Sequence, residues 1–197
     1  MTLRDEIVEC GRSLFERGLS PGLSGNISAR VEGGYLMTPT SCALGSLDAA
    51  RLSQLDDAGA HVGGDPPTKE AGLHLAMYDA HPDARAIVHL HSTYSVAVSC
   101  LADVDEDDVL PALTPYYVMR VGRLPLVACF WPGSDELVAA VRARAAESRA
   151  LLLAKHGPIV AGDSLAAAAA AAEEIEETAK LALVLRGLPV RPLPQRD

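Results

Sequence analysis

His89 and His91, separated by one residue, stand at the end of the apolar run Ala86–His91. If that run is a strand, alternate side chains share a face and the two imidazoles project together. Paired neutral imidazoles suit a divalent transition metal, and zinc is the ion most often held by nitrogen donors. A third histidine, His156, follows the apolar run Ala150–Leu153 and precedes Gly157. Glu70 sits in the first turn of the helical pattern before the His89 strand, where it can fold back towards the strand end. Three imidazoles and one carboxylate, with a position left for substrate, make up a catalytic zinc site; a structural site closes all four positions. Of the other histidines, His61 and His81 read as loop residues and His74 as a residue on a helix surface.

A second group of residues is suited to an anion. The loop Leu23–Ser28 (LSGNIS) offers backbone amides at Gly25, the Ser24 hydroxyl and the Asn26 carboxamide, a combination that can cradle phosphate. Thr40, Ser41 and Thr68 add hydroxyls, and Lys69 adds a cation.

The elements that must position these groups follow from pattern. Thr2 with Asp5 predicts a capping box, and Ile7, Cys10, Leu14 and Phe15 keep helical spacing up to Gly18. Ile27–Val31 and the stretch from Tyr35 predict a hairpin turned at Gly33-Gly34. The segment from Asp48 to Pro67 reads as polar and irregular, with strand content that its pattern does not place. Thr68 is placed to cap a helix that runs through Met77 and Tyr78. Strands are predicted at Ala86–His91, Leu124–Phe130 and Ala150–Leu153, and after Gly157 at Ile159–Ala161. Helices are predicted around Tyr94–Leu101 and over Ser134–Ser148. Asp163 or Ser164 caps a last helix to about Arg186, whose alanines Ala166–Ala172 favour helix and allow close approach of a neighbour. Intermingled strands and helices without a linker or repeat predict one domain over residues 1–197.

Composition narrows the partners. The net charge of −9 leaves no basic stripe for a nucleic-acid backbone. No apolar run is suited to spanning a bilayer, and MTLRDEIVECGRSLFERG reads as an amphipathic helix and not as a secretory signal. Cys10, Cys42, Cys100 and Cys129 form no CxxC pair, as in a reducing cytoplasm. Aromatics are only 4% of the chain, so the core must rest on Ala, Val and Leu, and burial in an oligomer would supplement it.

Five ordered segments resemble the class II aldolase/adducin family: Ser24–Ser28, Met37–Ser41, Pro67–Glu70, His74–Ser92 and Ala154–Glu176. The resemblance implies a three-layer α/β/α sandwich around a largely antiparallel sheet, assembled as a homotetramer with active sites between subunits. It matches His89, His91 and His156 to zinc ligands, and Glu70 to a carboxylate that binds metal and shuttles protons. Asn26, Thr40, Ser41, Thr68 and Lys69 fall on phosphate-contacting positions. Two positions depart from the sugar-phosphate aldolases, which usually carry Thr-Gly at Thr40-Ser41 and Ser-Ser at Thr68-Lys69. The Thr68-Lys69-Glu70 variant, with LTPYYVMRVGRLPLV at Leu113–Val127, looks most like the 3-oxo-tetronate 4-phosphate decarboxylase branch.

That branch implies a zinc-dependent carbon–carbon lyase acting on a phosphorylated sugar acid through a metal-stabilised enediolate. Glu70 would carry protons, and Tyr116 or Tyr117 would be a second acid reaching in from a neighbouring subunit. The same intermediate would serve a fuculose 1-phosphate type aldolase or a pentulose-phosphate 4-epimerase. A non-catalytic, adducin-like binding module would be expected to lack a complete metal set.

Overall fold

The structure, a computed structural model, describes residues 1–194. Helix α1 (Leu3–Glu16) begins where the sequence places its capping box, with Thr2 and Asp5 bonding each other's backbone amides. It packs Ile7 and Leu14 onto one face of a sheet. Strands β1 (Asn26–Val31) and β2 (Gly34–Met37) form the predicted hairpin, paired from Ser28 opposite Met37 to Val31 opposite Gly34.

The segment from Asp48 to Pro67 is less irregular than its sequence suggests. It holds β3 (Ser53–Asp56) and β4 (His61–Gly63), which extend the sheet beyond β2. Both are short, β4 is mostly solvent-exposed, and a register shift at Gln54/Leu55 interrupts their pairing, so alternation of apolar residues never builds up.

Helix α2 (Ala71–Ala80) starts after Thr68, with Glu70 at its N-cap position and no side chain capping it. Strand β5 (Ala86–His89) then crosses the middle of the sheet, followed by α3 (Thr93–Ser99) and α4 (Pro115–Arg120). The predicted strand at Leu124–Phe130 shrinks to β6 (Leu126–Val127), at the sheet edge. Helix α5 (Asp135–Arg144), strands β7 (Ala150–Leu153) and β8 (Gly157–Gly162), and α6 (Leu165–Val184) complete the order. Of the two offered caps for α6, Ser164 is the one used; its side chain accepts from the Ala167 amide.

The eight strands run in the order β4-β3-β2-β1-β5-β8-β7-β6. Every pairing is antiparallel except β6 with β7. Period-2 alternation divides the strands between two apolar layers. Ala86 and Val88 of β5 join Ile7, Val98 and Ile175 from the helices on one face. Ile87 of the same strand joins Leu73 and Met77 of α2 and Leu137 and Val141 of α5 on the other. Helices thus cover both faces, the three-layer sandwich that the resemblance implies. Helix α6 lies very close to β8: a Cβ at Gly162 would come within 2.5 Å of the Ala168 amide nitrogen. The alanine run is therefore packing surface, with Ala168, Ala169, Ala171 and Ala172 buried.

Candidate metal centre and substrate cleft

Strand register assembles the site. His89 ends β5 opposite Asn26 of β1 on one side and Ile159 of β8 on the other. His91 lies just past the strand, and α3 begins at once; the buried Glu176 of α6 accepts from the Tyr94 and Ser95 amides at 2.8 Å and fixes that start. His156 comes from the turn between β7 and β8. There Lys155 adopts φ +61° and Gly157 φ +137°. A Cβ at Gly157 would sit 2.1 Å from the Leu90 carbonyl oxygen, so only glycine lets this turn press against the His89–His91 segment.

The ligand atoms of Glu70, His89, His91 and His156 all lie within 4.8 Å of one another. His89 Nε2 is 3.1 Å from His91 Nε2 and 3.3 Å from His156 Nε2. His89 Nδ1 lies 2.8 Å from the Pro158 carbonyl; it donates its proton there, so neutral His89 turns a bare Nε2 inward. Glu70 Oε1 lies 2.9 Å from His156 Nε2 and Oε2 lies 3.4 Å from His89 Nε2. A proton on His156 Nε2 would make that contact a hydrogen bond; without it, both atoms direct lone pairs at a common point.

Burial governs the charge state. It pushes His89 down to about 4, with Glu70 opposing, and His91 down to about 3, reinforced by its imidazole neighbours. Both rings are therefore neutral near pH 7, the form that binds metal. Burial pulls the Glu70 carboxyl up, but the contact with His156, the two nearby imidazoles and the Asn26 amide together hold it below the usual carboxylate range. Neutral nitrogens and one ionised oxygen converging in a buried space fit a divalent ion.

The anion-suited residues come together as well. Ser24, Gly25, Asn26, Thr40, Ser41, Thr68 and Lys69 line one cleft with Glu70 and His91. Several are partly engaged. The Ser24 hydroxyl donates to the Pro21 carbonyl, and the Thr68 hydroxyl accepts from the Glu70 amide. Asn26 donates from Nδ2 to Glu70 Oε2 at 2.8 Å, so its carboxamide holds the carboxylate before any substrate arrives. Ser41 adopts a left-handed φ of +56°. Lys69 is exposed at the rim.

The two tyrosines separate. Tyr117 is wholly buried in the apolar layer shared by α1, α3 and α6, and its hydroxyl has no partner among the described residues. Tyr116 is 60% exposed, with the Arg120 guanidinium over its ring. Neither lines the cleft of its own chain.

Two histidine expectations are overturned and some functional surroundings were missed. His61 is no loop residue but begins β4, paired with Leu55. His74 is not on a helix surface: it is fully buried, with Nε2 against Asn26 Oδ1 and Nδ1 against Ser28 Oγ. The missed signal lies in β1, where Asn26, Ser28 and Arg30 alternate with Ile27 and Ala29, giving a central strand one polar face. A second opening reaches His91 and His156 past Phe130 and Trp131. Trp131 is 86% exposed, and nothing in the spacing around it marks it.

Comparison with known proteins agrees with this geometry. The family described as Class II Aldolase and Adducin N-terminal domain matches residues 5–183. The 3-oxo-tetronate 4-phosphate decarboxylase of Haemophilus influenzae is 47% identical over 189 residues, covering 95% of this chain and 90% of that protein. The L-fuculose phosphate aldolase of the same organism is 32% identical over 193 residues, covering 95% and 86%. The crystal structure of YgbL from Escherichia coli superposes with a TM-score of 0.94 at 44% identity, covering 98% of this chain and 93% of that one. With its sandwich, its imidazole–carboxylate cluster and these matches over nearly the whole chain, the protein belongs to the class II aldolase and adducin family.

Proposed function

We propose that this protein is a zinc-dependent decarboxylase that converts 3-oxo-tetronate 4-phosphate to dihydroxyacetone phosphate and carbon dioxide. The observation that carries the reading is the Glu70 carboxylate set against three convergent imidazole nitrogens beside a hydroxyl-lined cleft. The identity of 47% to a decarboxylase of that name, against 32% to a fuculose phosphate aldolase, favours decarboxylation over aldol cleavage.

His89, His91, His156 and Glu70 would hold the ion. When bound there, a divalent ion supplies Lewis-acid stabilisation of negative charge developing on a substrate oxygen. The reaction breaks the C1–C2 bond of the 3-oxo acid, and its electron pair moves towards the 3-oxo oxygen. One proton is then needed at C2. Glu70, ionised at rest, would take that proton from solvent and deliver it at Oε1, the oxygen facing the imidazole cluster. The Ser24, Thr40, Ser41 and Thr68 hydroxyls, the Gly25 and Asn26 amides and the Lys69 ammonium would bind the phosphate end of the substrate. Tyr116, exposed on α4, is the better of the two tyrosines for reaching a site across a subunit contact; the burial of Tyr117 suits a packing role.

The same reading extends to a homotetramer with sites between subunits, which the exposed Tyr116, Met119, Phe130 and Trp131 support. Among the described residues no helix is long and apolar enough to cross a membrane.

The test is to offer 3-oxo-tetronate 4-phosphate and fuculose 1-phosphate in parallel to the zinc-loaded protein. Dihydroxyacetone phosphate and carbon dioxide from the first are expected. Lactaldehyde from the second, with the first untouched, would make the protein an aldolase instead.

A further inference from the structure

Behind Glu70 a line of buried polar groups runs from α2 into β1 and ends on the carboxylate. The Tyr78 hydroxyl is 3.0 Å from Ser28 Oγ, which is 2.7 Å from His74 Nδ1. His74 Nε2 meets Asn26 Oδ1, and Asn26 Nδ2 donates to Glu70 Oε2 at 2.8 Å. His74, Ser28 and Tyr78 are at most 1% exposed and Asn26 is 4% exposed, so no water completes these bonds cheaply.

The donors can be assigned without ambiguity. An ionised carboxylate only accepts, so the Asn26 amide nitrogen faces Glu70 and its oxygen faces His74. That oxygen needs a donor, so His74 carries its proton on Nε2. Burial keeps the ring neutral, pushing it down to about 4 against the opposing charge of Glu70, so Nδ1 is a bare acceptor. Ser28 then donates to Nδ1 and accepts from Tyr78. Every proton in the line points one way, towards Glu70.

The alternative arrangement is self-defeating. With the proton on Nδ1, His74 would offer a lone pair to Asn26, whose amide would have to turn over. Its oxygen would then face the Glu70 oxygen at hydrogen-bond distance, acceptor against acceptor.

We propose that His74 is a positioning residue for Glu70: acting through Asn26, it fixes Oε2 and so leaves Oε1 aimed at the imidazole nitrogens. Ser28 and Tyr78 hold His74 in the tautomer that does this. Residues beyond direct ligands orient them and tune their affinity, and here the supported ligand is the carboxylate. The inference rests on the reading of the cluster as a divalent-metal site.

Cobalt(II) titration of the metal-free protein tests it, because the visible bands report ligand number and geometry independently of turnover. His74→Leu is expected to weaken cobalt binding about tenfold and to change the band shape. His74→Gln, whose amide can donate to Asn26 Oδ1 from the same place, is expected to restore both. A His74→Leu protein with wild-type affinity and spectrum overturns the inference. So does a His74→Gln protein no better than His74→Leu, since lost volume rather than a lost donor would then be at fault. Where His74→Leu does not fold, Ser28→Ala repeats the test: a shifted spectrum supports the line of donors, and an unchanged one overturns it. Wild-type protein that binds no cobalt overturns the metal reading and this inference with it; an unaffected His74→Leu overturns the inference alone.

Discussion

The imidazole cluster and the anion rim share one cleft but are built on opposite principles. The cluster hangs on the ends of central strands and the start of α2: His89 is fully buried, Glu70 7% exposed, and His89, Glu70 and His156 are held from behind by a backbone carbonyl, an amide and a tight turn respectively. The rim is loop: Ser24, Thr40, Ser41 and Lys69 lie between elements, and Lys69 projects into solvent. Rigid sheet ends suit a group whose geometry must be right to a fraction of an ångström, and loops suit a phosphate that tolerates several donors. Substitutions in the two regions should therefore fail differently, by loss of chemistry in one and by loss of affinity in the other.

The largest difference is expected at His89. His89→Ala removes one nitrogen and the bond to Pro158, so bound zinc should fall below one per chain and turnover by about three orders of magnitude. Metal analysis beside kcat checks it. If His89→Ala keeps stoichiometric zinc and changes only KM, the contrast between the regions collapses.

The second effect concerns stability. His74 is pushed down to about 4 in the folded protein from an ordinary value of 6.5. Between those values the unfolded chain binds the proton that the folded chain refuses, so stability rises with pH. The contribution is complete above about pH 6.5 and is lost as pH falls towards 4, on the order of 3 kcal/mol in all. His89 and His91 act in the same direction in metal-free protein. The measurement is therefore a difference: unfolding of metal-free wild type should weaken more steeply over this window than that of His74→Gln. Equal slopes would mean that His74 is not held neutral by burial.

Legibility in the sequence follows the same division. His89, His91 and His156 could be read because strand ends and a permissive glycine are local signals, and the register then does the rest. Glu70 was recognisable by chain position, although it is the cap residue of α2 and not part of its first turn. The sandwich followed from family resemblance, whereas β3 and β4 gave no pattern because short, exposed, bulged strands bury too little to show one. His74 was misread for a physical reason. Helical periodicity places polar residues outward by default, and only the polar face of β1 opposite it, with Tyr78 one turn further along, makes an inward histidine sensible. That information lies in a pairing between distant segments.

At the rim, Lys69→Ala is expected to raise KM for a phosphorylated substrate about tenfold with kcat little changed, the loss of one charge-assisted contact worth about 1.4 kcal/mol. The contrast with His89 is in the kind of effect as much as its size. A fall in kcat with KM unchanged would give Lys69 a part in the chemistry and blur the boundary.

The smallest effect, and the finest probe of the rim, is at Ser41. Its φ of +56° lies in the left-handed region, where a side chain costs backbone energy and glycine does not. Ser41→Gly should therefore relieve strain in the folded state while loosening the unfolded chain, and these two terms oppose each other. With the conformation already left-handed, relief of about 1–2 kcal/mol should outweigh the unfolded-chain effect of about 0.4–1 kcal/mol, visible as a small rise in Tm. The hydroxyl is lost in the same step, so phosphate affinity should fall. A variant that is more stable and binds more weakly would show that Ser41 is kept for its contact against a backbone preference. A variant that is more stable and binds equally well would assign anion recognition at this turn to its backbone amides.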